Sequence, residues 1–272
     1  MSIIGAILGD IAGSQYEFGM SPDRDPATME LFTEHSRYTD DTVMTIATKA
    51  ALIDGKSFTE MYQKFGREYP DAGYGGLFYG WIFDEDPQPY GSFGNGSAMR
   101  VSYVADHFDN IEDVKLYAKM SAACSHNDPE GIKGAVVTAV CAFMVKHGWN
   151  KDNMLAFVNT MYPRSEYTFS SERSLDDIRD TYTWSGTCQD SVPVAMRCVY
   201  EADSYIGFIR NVFSLDCDMD TLCAIGGSVA EELFGGTGLD DRALLEKYLP
   251  RELLEIVYKL YKVNATKCLT NG

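Results

Sequence analysis

The sequence predicts an all-α fold, a compact helical bundle forming a single domain over residues 1–272. Three observations lead there. Apolar residues recur at helical spacing in nearly every apolar segment, alternating strand patterns are scarce, and no Pro- or Ser-rich linker, repeat or low-complexity tract divides the chain. With 45% hydrophobic residues in 272, the chain can bury one substantial core.

The opening "MSIIGAILGDIAG" is apolar, lacks a basic start and is interrupted by Asp10, so it reads as a buried first helix and not as a signal peptide. "DDTVMTIATKAALIDG" places Val43, Ile46, Ala47, Ala50 and Ala51 on one stripe and stops at Gly55. "IEDVKLYAKMSAACSH" continues the pattern. "EGIKGAVVTAVCAFMVKHG" is apolar nearly all round between Ile132 and Val145, as a central helix should be. "DSVPVAMRCVYEA", "SYIGFIRNVFSL", "MDTLCAIGGSVAEELFG" and "RELLEIVYKLYKV" complete the helices. The exception is "YPDAGYGGLFYGWIFDEDPQPYGSFGNGSAMR", too dense in glycine for a good helix. A loop is expected there, with aromatic rings and accessible backbone suited to a flat ligand.

Charge narrows the function. Lys plus Arg total 23 against 40 Asp plus Glu, a net charge of −17, and no basic run is present. General nucleic-acid binding is therefore not expected, and an anionic ligand would need cations or helix N-termini to hold it. No apolar stretch is long enough to cross a bilayer. The seven cysteines are scattered without paired spacing, which predicts reduced core thiols in a cytoplasmic protein.

Thr39-Asp40-Asp41-Thr42 and Asp218-Met219-Asp220-Thr221 each precede an apolar helix, and Glu17 follows the first one. A single Asp or Thr there is an ordinary cap, contributing about 1 kcal/mol. Two carboxylates exceed what one cap position uses, and their repulsion calls for a cation. The three segments offer five carboxylates and two threonine hydroxyls, from Thr39 and Thr221, an all-oxygen set suited to Mg²⁺ or Mn²⁺ and large enough for two ions. No His or Cys cluster points to zinc. An isoprenoid-synthase reading of Asp40-Asp41 fails because Asp41 is followed by Thr-Val-Met-Thr, so that segment is not a DDxxD.

"GAILGDIAGSQYEF", "YTDDTVMT", "GSFGNGSAMR", "SHNDPEGIKGA" and "DMDTLCAIGGSVAE" resemble, in order, the motifs of the ADP-ribosylglycohydrolases, and they extend from residue 5 to about residue 235. The resemblance implies an all-α fold holding two Mg²⁺ or Mn²⁺ ions. Thr39, Asp40 and Asp41 would hold one ion and Asp218 and Thr221 the other, with Asp220 between them and Glu17 reaching in. It implies an ADP-ribose ligand whose diphosphate lies against the backbone at Gly91, Ser92 and Phe93, within a loop that includes Gly94. Tyr90 and Phe93 would stand near the adenine, Asn95 and Gly96 on the ribose side, and His126 would approach the ligand. Glu17 or Asp41 would accept a proton from water as the glycosidic bond to a protein side chain or small acceptor is hydrolysed. A second expectation is a non-catalytic ADP-ribose binder or structural relative, as in some lens crystallins. One departure is visible: many members read Gly-Gly-Asp-Thr-Asp-Thr where this chain reads Asp216-Cys217-Asp218-Met219-Asp220-Thr221. Asp216 is thus expected to add negative charge near the site.

Overall fold

The computed structural model describes residues 2–17 and 25–259. Its helices are α1 (Ser2–Gly13), α2 (Asp40–Asp54), α3 (Phe58–Glu68), α4 (Gly76–Phe83), α5 (Gly96–Met99), α6 (Tyr103–His107), α7 (Ile111–Ala123) and α8 (Pro129–Lys146). There follow α9 (Lys151–Met161), α10 (Leu175–Ile178), α11 (Cys188–Glu201), α12 (Tyr205–Phe213), α13 (Met219–Phe234), α14 (Asp241–Tyr248) and α15 (Arg251–Tyr258). Among the described residues there is no strand, only an isolated antiparallel bridge between Gly94 and Thr187. No described helix is long and apolar enough to cross a membrane. The fold is all-α, as the periodicity predicts.

The pairing of α1 with α13 organises the site. A Cβ at Gly5 would lie 2.3 Å from the Gly227 carbonyl, one at Gly9 2.3 Å from the Cys223 carbonyl, and one at Gly13 2.5 Å from Asp220 Cα. The pairs run in opposite directions along the chain, so the two helices are antiparallel with their backbones in contact. Glycine inside a helix costs about 1 kcal/mol relative to Ala, and here it permits an approach that no other residue allows. The C-terminal end of α1 is thereby brought beside the N-terminal end of α13.

The N-terminus of α2 closes the same corner. Asp10, fully buried in α1, accepts from the Thr39 amide at 2.9 Å, the Thr39 hydroxyl at 2.7 Å and the Thr42 amide at 3.1 Å, as well as from the Thr42 hydroxyl. Behind the corner, α8 is buried along most of its length and packs on α5, α7, α11 and α13. α2 ends at Gly55, whose φ of 64° supplies the left-handed cap.

One expectation is corrected. Within the glycine-dense stretch, residues 76–83 form α4, with Phe78, Trp81 and Ile82 buried. Tertiary burial overrides the weak helix propensity: the Ile82 side chain fills the space that a Cβ at Gly66 of α3 would take. Residues 84–95 remain a loop, as expected.

Candidate active site

The three carboxylate segments, far apart in sequence, meet at one cavity of about 530 Å³. Its walls include Glu17, Asp40, Asp41, Asp218, Asp220 and Thr221 together with Tyr90, Ser92, Gly94, Asn95, Gly96 and His126. That volume lies within the range of small-molecule sites.

Capping does not account for the paired carboxylates. Thr39 is the N-cap of α2, and its hydroxyl accepts from the Asp41 amide at 3.3 Å. The cap position is filled, which frees Asp40 and Asp41. Asp218 occupies the N-cap position of α13 but makes no side-chain capping bond. Its carboxylate accepts from Asn95 Nδ2 at 2.8 Å instead, and Asn95 also donates to Ser191 at 3.1 Å. The Thr221 hydroxyl donates to Asp41 Oδ2 at 3.2 Å and so joins the two acidic segments.

Carboxylate oxygens of Glu17, Asp218 and Asp220 lie within 4.8 Å of one another. Burial first, and for most of these groups crowding second, raises their pKa values. Burial, then the charges of Asp10, Asp218 and Glu17, pushes Asp40 up to about 8. Burial and Asp218 push Glu17 up to about 7. Asp41 and Asp220 rise well above the usual carboxylate range, chiefly through burial and then through neighbouring carboxylates. Burial also raises Asp218, against the hydrogen bond from Asn95. Burial is the main cause throughout, joined at Glu17, Asp40, Asp41 and Asp220 by the charge of neighbouring carboxylates, and a bound cation opposes both. Asp41 Oδ1 is buried without a hydrogen-bond partner among the described residues, an acceptor left open for a ligand. The donor set is entirely oxygen, so these residues fit hard divalent ions.

The expected ligand loop is more differentiated than its sequence suggests. Gly91 has a φ of 68°, and its amide donates to Asn127 Oδ1 at 2.7 Å. Gly91 thus shapes the loop and does not offer a free N–H. The amides of Ser92 and Phe93 have no partner among the described residues. Phe93 is exposed and is not on the cavity wall, while its carbonyl accepts from the Cys188 amide. Thr39 is buried, with its hydroxyl turned to Asp10, and is likewise absent from the wall. Burial raises Tyr90 to about 12, and its ring centroid lies 5.6 Å from that of His126. Asp216, expected beside the site, is solvent-exposed and off the cavity wall, so water screens its charge.

Sequence reasoning missed several residues. Asp10 positions both threonines of the α2 cap, and its only signal was an acid within an apolar helix. Arg100 and Trp184 also line the cavity. Arg100 directly follows the "GNGSAM" run and was legible as a neighbour; Trp184, half-exposed on the loop before α11, gave no signal.

Residues 1–269 match the family model described as ADP-ribosylglycohydrolase. The chain is 32% identical over 178 residues to the ADP-ribosylhydrolase ARH3 of Mus musculus, an alignment covering 54% of this chain and 48% of that protein. It is 25% identical over 165 residues to the ADP-ribosylarginine hydrolase Tri1 of Pseudomonas putida, covering 59% and 43%. The matched part thus spans about half the length of these curated relatives. A solved structure described as an ADP-ribosylglycohydrolase-related protein complex superposes with a TM-score of 0.71 at 20% identity, over 94% of this chain and 95% of that one, and shares its fold. Motifs in order, a shared fold and a family match along nearly the whole length establish that this chain belongs to the ADP-ribosylglycohydrolase family.

Proposed function

We propose that residues 1–272 act as one metal-dependent hydrolase domain, cleaving the glycosidic bond between ADP-ribose and a protein side chain or small acceptor. The observation that carries this reading is the convergence of five carboxylates, none used as a helix cap, on the cavity that also holds the 90–96 loop.

Glu17, Asp40, Asp41, Asp218, Asp220 and Thr221 would hold two Mg²⁺ or Mn²⁺ ions, with Thr39 buried behind them. When bound, such ions polarise water and ribose hydroxyls as Lewis acids. Cleavage at the anomeric carbon develops positive charge on the ribose, and a wall of carboxylates favours that charge. Glu17 is half-buried on the wall, within reach of the cavity, and takes the proton from the attacking water. Asp41, more deeply set and tied to Thr221, is the alternative base. The free amides of Ser92 and Phe93 donate to the diphosphate, with Tyr90 beside them and Gly94 and Gly96 leaving room for the ligand.

A second reading is a binder or structural relative that keeps the cavity without turnover. A panel of ADP-ribosylated arginine, serine and nucleobase substrates separates the two. Release of ADP-ribose from one linkage class, dependent on Mg²⁺ or Mn²⁺, is expected. Tight ADP-ribose binding with no release from any of them would establish the binder.

A further inference from the structure

Arg100 follows α5 and is completely buried, yet no carboxylate pairs with it among the described residues. Its guanidinium lies over the rings of Tyr62, at 4.3 Å, and Phe78, at 5.4 Å. Nη2 donates to the Ser121 carbonyl at 2.7 Å and to the Ser125 hydroxyl at 3.0 Å, while Nε and Nη1 have no hydrogen-bond partner among the described residues. The Ser125 oxygen in turn lies 2.8 Å from His126 Nδ1.

We propose that Arg100, acting through Ser125, fixes His126 in the tautomer that carries its proton on Nε2, making it a hydrogen-bond donor toward an oxygen of the ligand. The identity of that ligand as ADP-ribose rests on the function proposed above.

Proton accounting leads to this tautomer. A guanidinium has donors and no acceptor, so the Ser125 oxygen must accept from Arg100. The hydroxyl has one proton, and Ser125 is fully buried, so that proton needs an acceptor in the protein. His126 Nδ1 is at hydrogen-bond distance; the other neighbour, the Cys124 thiol, is a weak acceptor. Nδ1 is therefore bare and Nε2 bears the hydrogen. The reverse tautomer would give Ser125 two donors and leave its own proton pointing at sulfur.

A second proton on the imidazole is opposed as well. The groups facing His126 are the rings of Phe78 and Tyr90, the glycines at 94, 96 and 131, Ser125 and the Arg100 charge, with no carboxylate among them. Burial, and then Arg100, lowers its pKa well below the ordinary histidine value. Nε2 has no hydrogen-bond partner among the described residues and faces the 94–96 turn: a Cβ at Gly96 would lie 3.3 Å from it and one at Gly94 3.5 Å. Glycine at both places leaves that N–H open to the cavity. His126 is thus a neutral donor for a phosphate or ribose oxygen, and Arg100 and Ser125 are positioning residues.

Long-range ¹H–¹⁵N correlation spectra of the full chain, labelled at its four histidines, test this directly. Wild-type His126 is expected to show a bare Nδ1 and a protonated Nε2, unchanged between about pH 6 and pH 8. Ser125→Ala should give mixed tautomers and weaken ADP-ribose binding about fivefold, with Mn²⁺ affinity unchanged. An Nδ1–H tautomer or an imidazolium in the wild type, or a pure Nε2–H tautomer in the variant, would overturn the proposal. If the tautomers behave as expected but wild-type protein binds no ADP-ribose, the relay stands and the ligand assignment falls.

Discussion

The Asp10 carboxylate takes hydrogen bonds from the amides and hydroxyls of both Thr39 and Thr42, and these offset part of the burial that raises it to about 6. It touches no ligand, yet it sets the start of α2 and therefore the aim of Asp40 and Asp41. Asp10→Asn keeps the shape but puts an NH₂ group either where Oδ1 meets the Thr39 hydroxyl or where Oδ2 meets the other three donors. Mn²⁺ affinity, measured by calorimetric titration, should fall about tenfold with the helical content retained; an unchanged affinity would reduce Asp10 to a packing role. Asp40→Ala and Asp220→Ala act in the opposite sense on stability. Each removes a carboxylate held against its neighbours, so the metal-free variants should melt at or above the wild type while losing Mn²⁺ binding and activity. Paired acids at a helix start were legible because one cap position cannot use two of them. Asp10 was not, because its partners lie 29 and 32 residues away and become neighbours only when α1 and α2 meet.

At the scale of elements, the contact between α1 and α13 couples stability to the site. At Gly13 an added Cβ would meet Asp220 Cα at 2.5 Å and Asp220 N at 2.6 Å. Gly13→Ala should displace the start of α13 and lower Mn²⁺ affinity about tenfold, against roughly 1–3 kcal/mol of stability. Gly9→Ala, one turn away at Cys223, should cost similar stability with a smaller loss of metal binding, and paired melts and titrations compare the two. The same interface holds Glu231 of α13, which accepts the Gly5 amide at 2.6 Å and is pushed up to about 7, chiefly by burial. Because its folded value exceeds the ordinary 4.5, the folded chain binds the extra proton between those values. This group's contribution therefore falls as pH rises from about 4.5 to about 7. Glu231→Gln keeps an acceptor for Gly5 and loses the charge. It should match the wild type near pH 5 and exceed it at pH 8 by up to roughly 3 kcal/mol in denaturant melts. A constant difference across that window would contradict the assignment. Helix α4 shows where local reading ends: its glycines predict a loop, and the burial of Phe78, Trp81 and Ile82 decides otherwise.

For the whole molecule, a net charge of −17 and a cavity walled by carboxylates pose one electrostatic problem, the binding of an anionic ligand. Divalent ions at one part of the wall and the buried Arg100–Ser125–His126 chain at another would supply the positive potential that the surface lacks. The fold class was legible from periodicity, and the acidic motifs from their redundancy. Arg100 was legible only as a neighbour of a motif, and the contributions of Trp184 and Asn127 were not, since they depend on which loops face the cavity. Under the proposed function the acidic cavity is a divalent-ion site on which ADP-ribose release depends. The most direct measurement follows the rate of ADP-ribose release while Mn²⁺ is titrated into chelator-stripped wild-type and Asp220→Ala protein, with metal occupancy recorded on the same samples. Stripped protein should release none, the wild-type rate should rise in step with occupancy, and the variant should show neither binding nor release. Full release from metal-free wild type, or wild-type Mn²⁺ stoichiometry and affinity in Asp220→Ala, would contradict that reading.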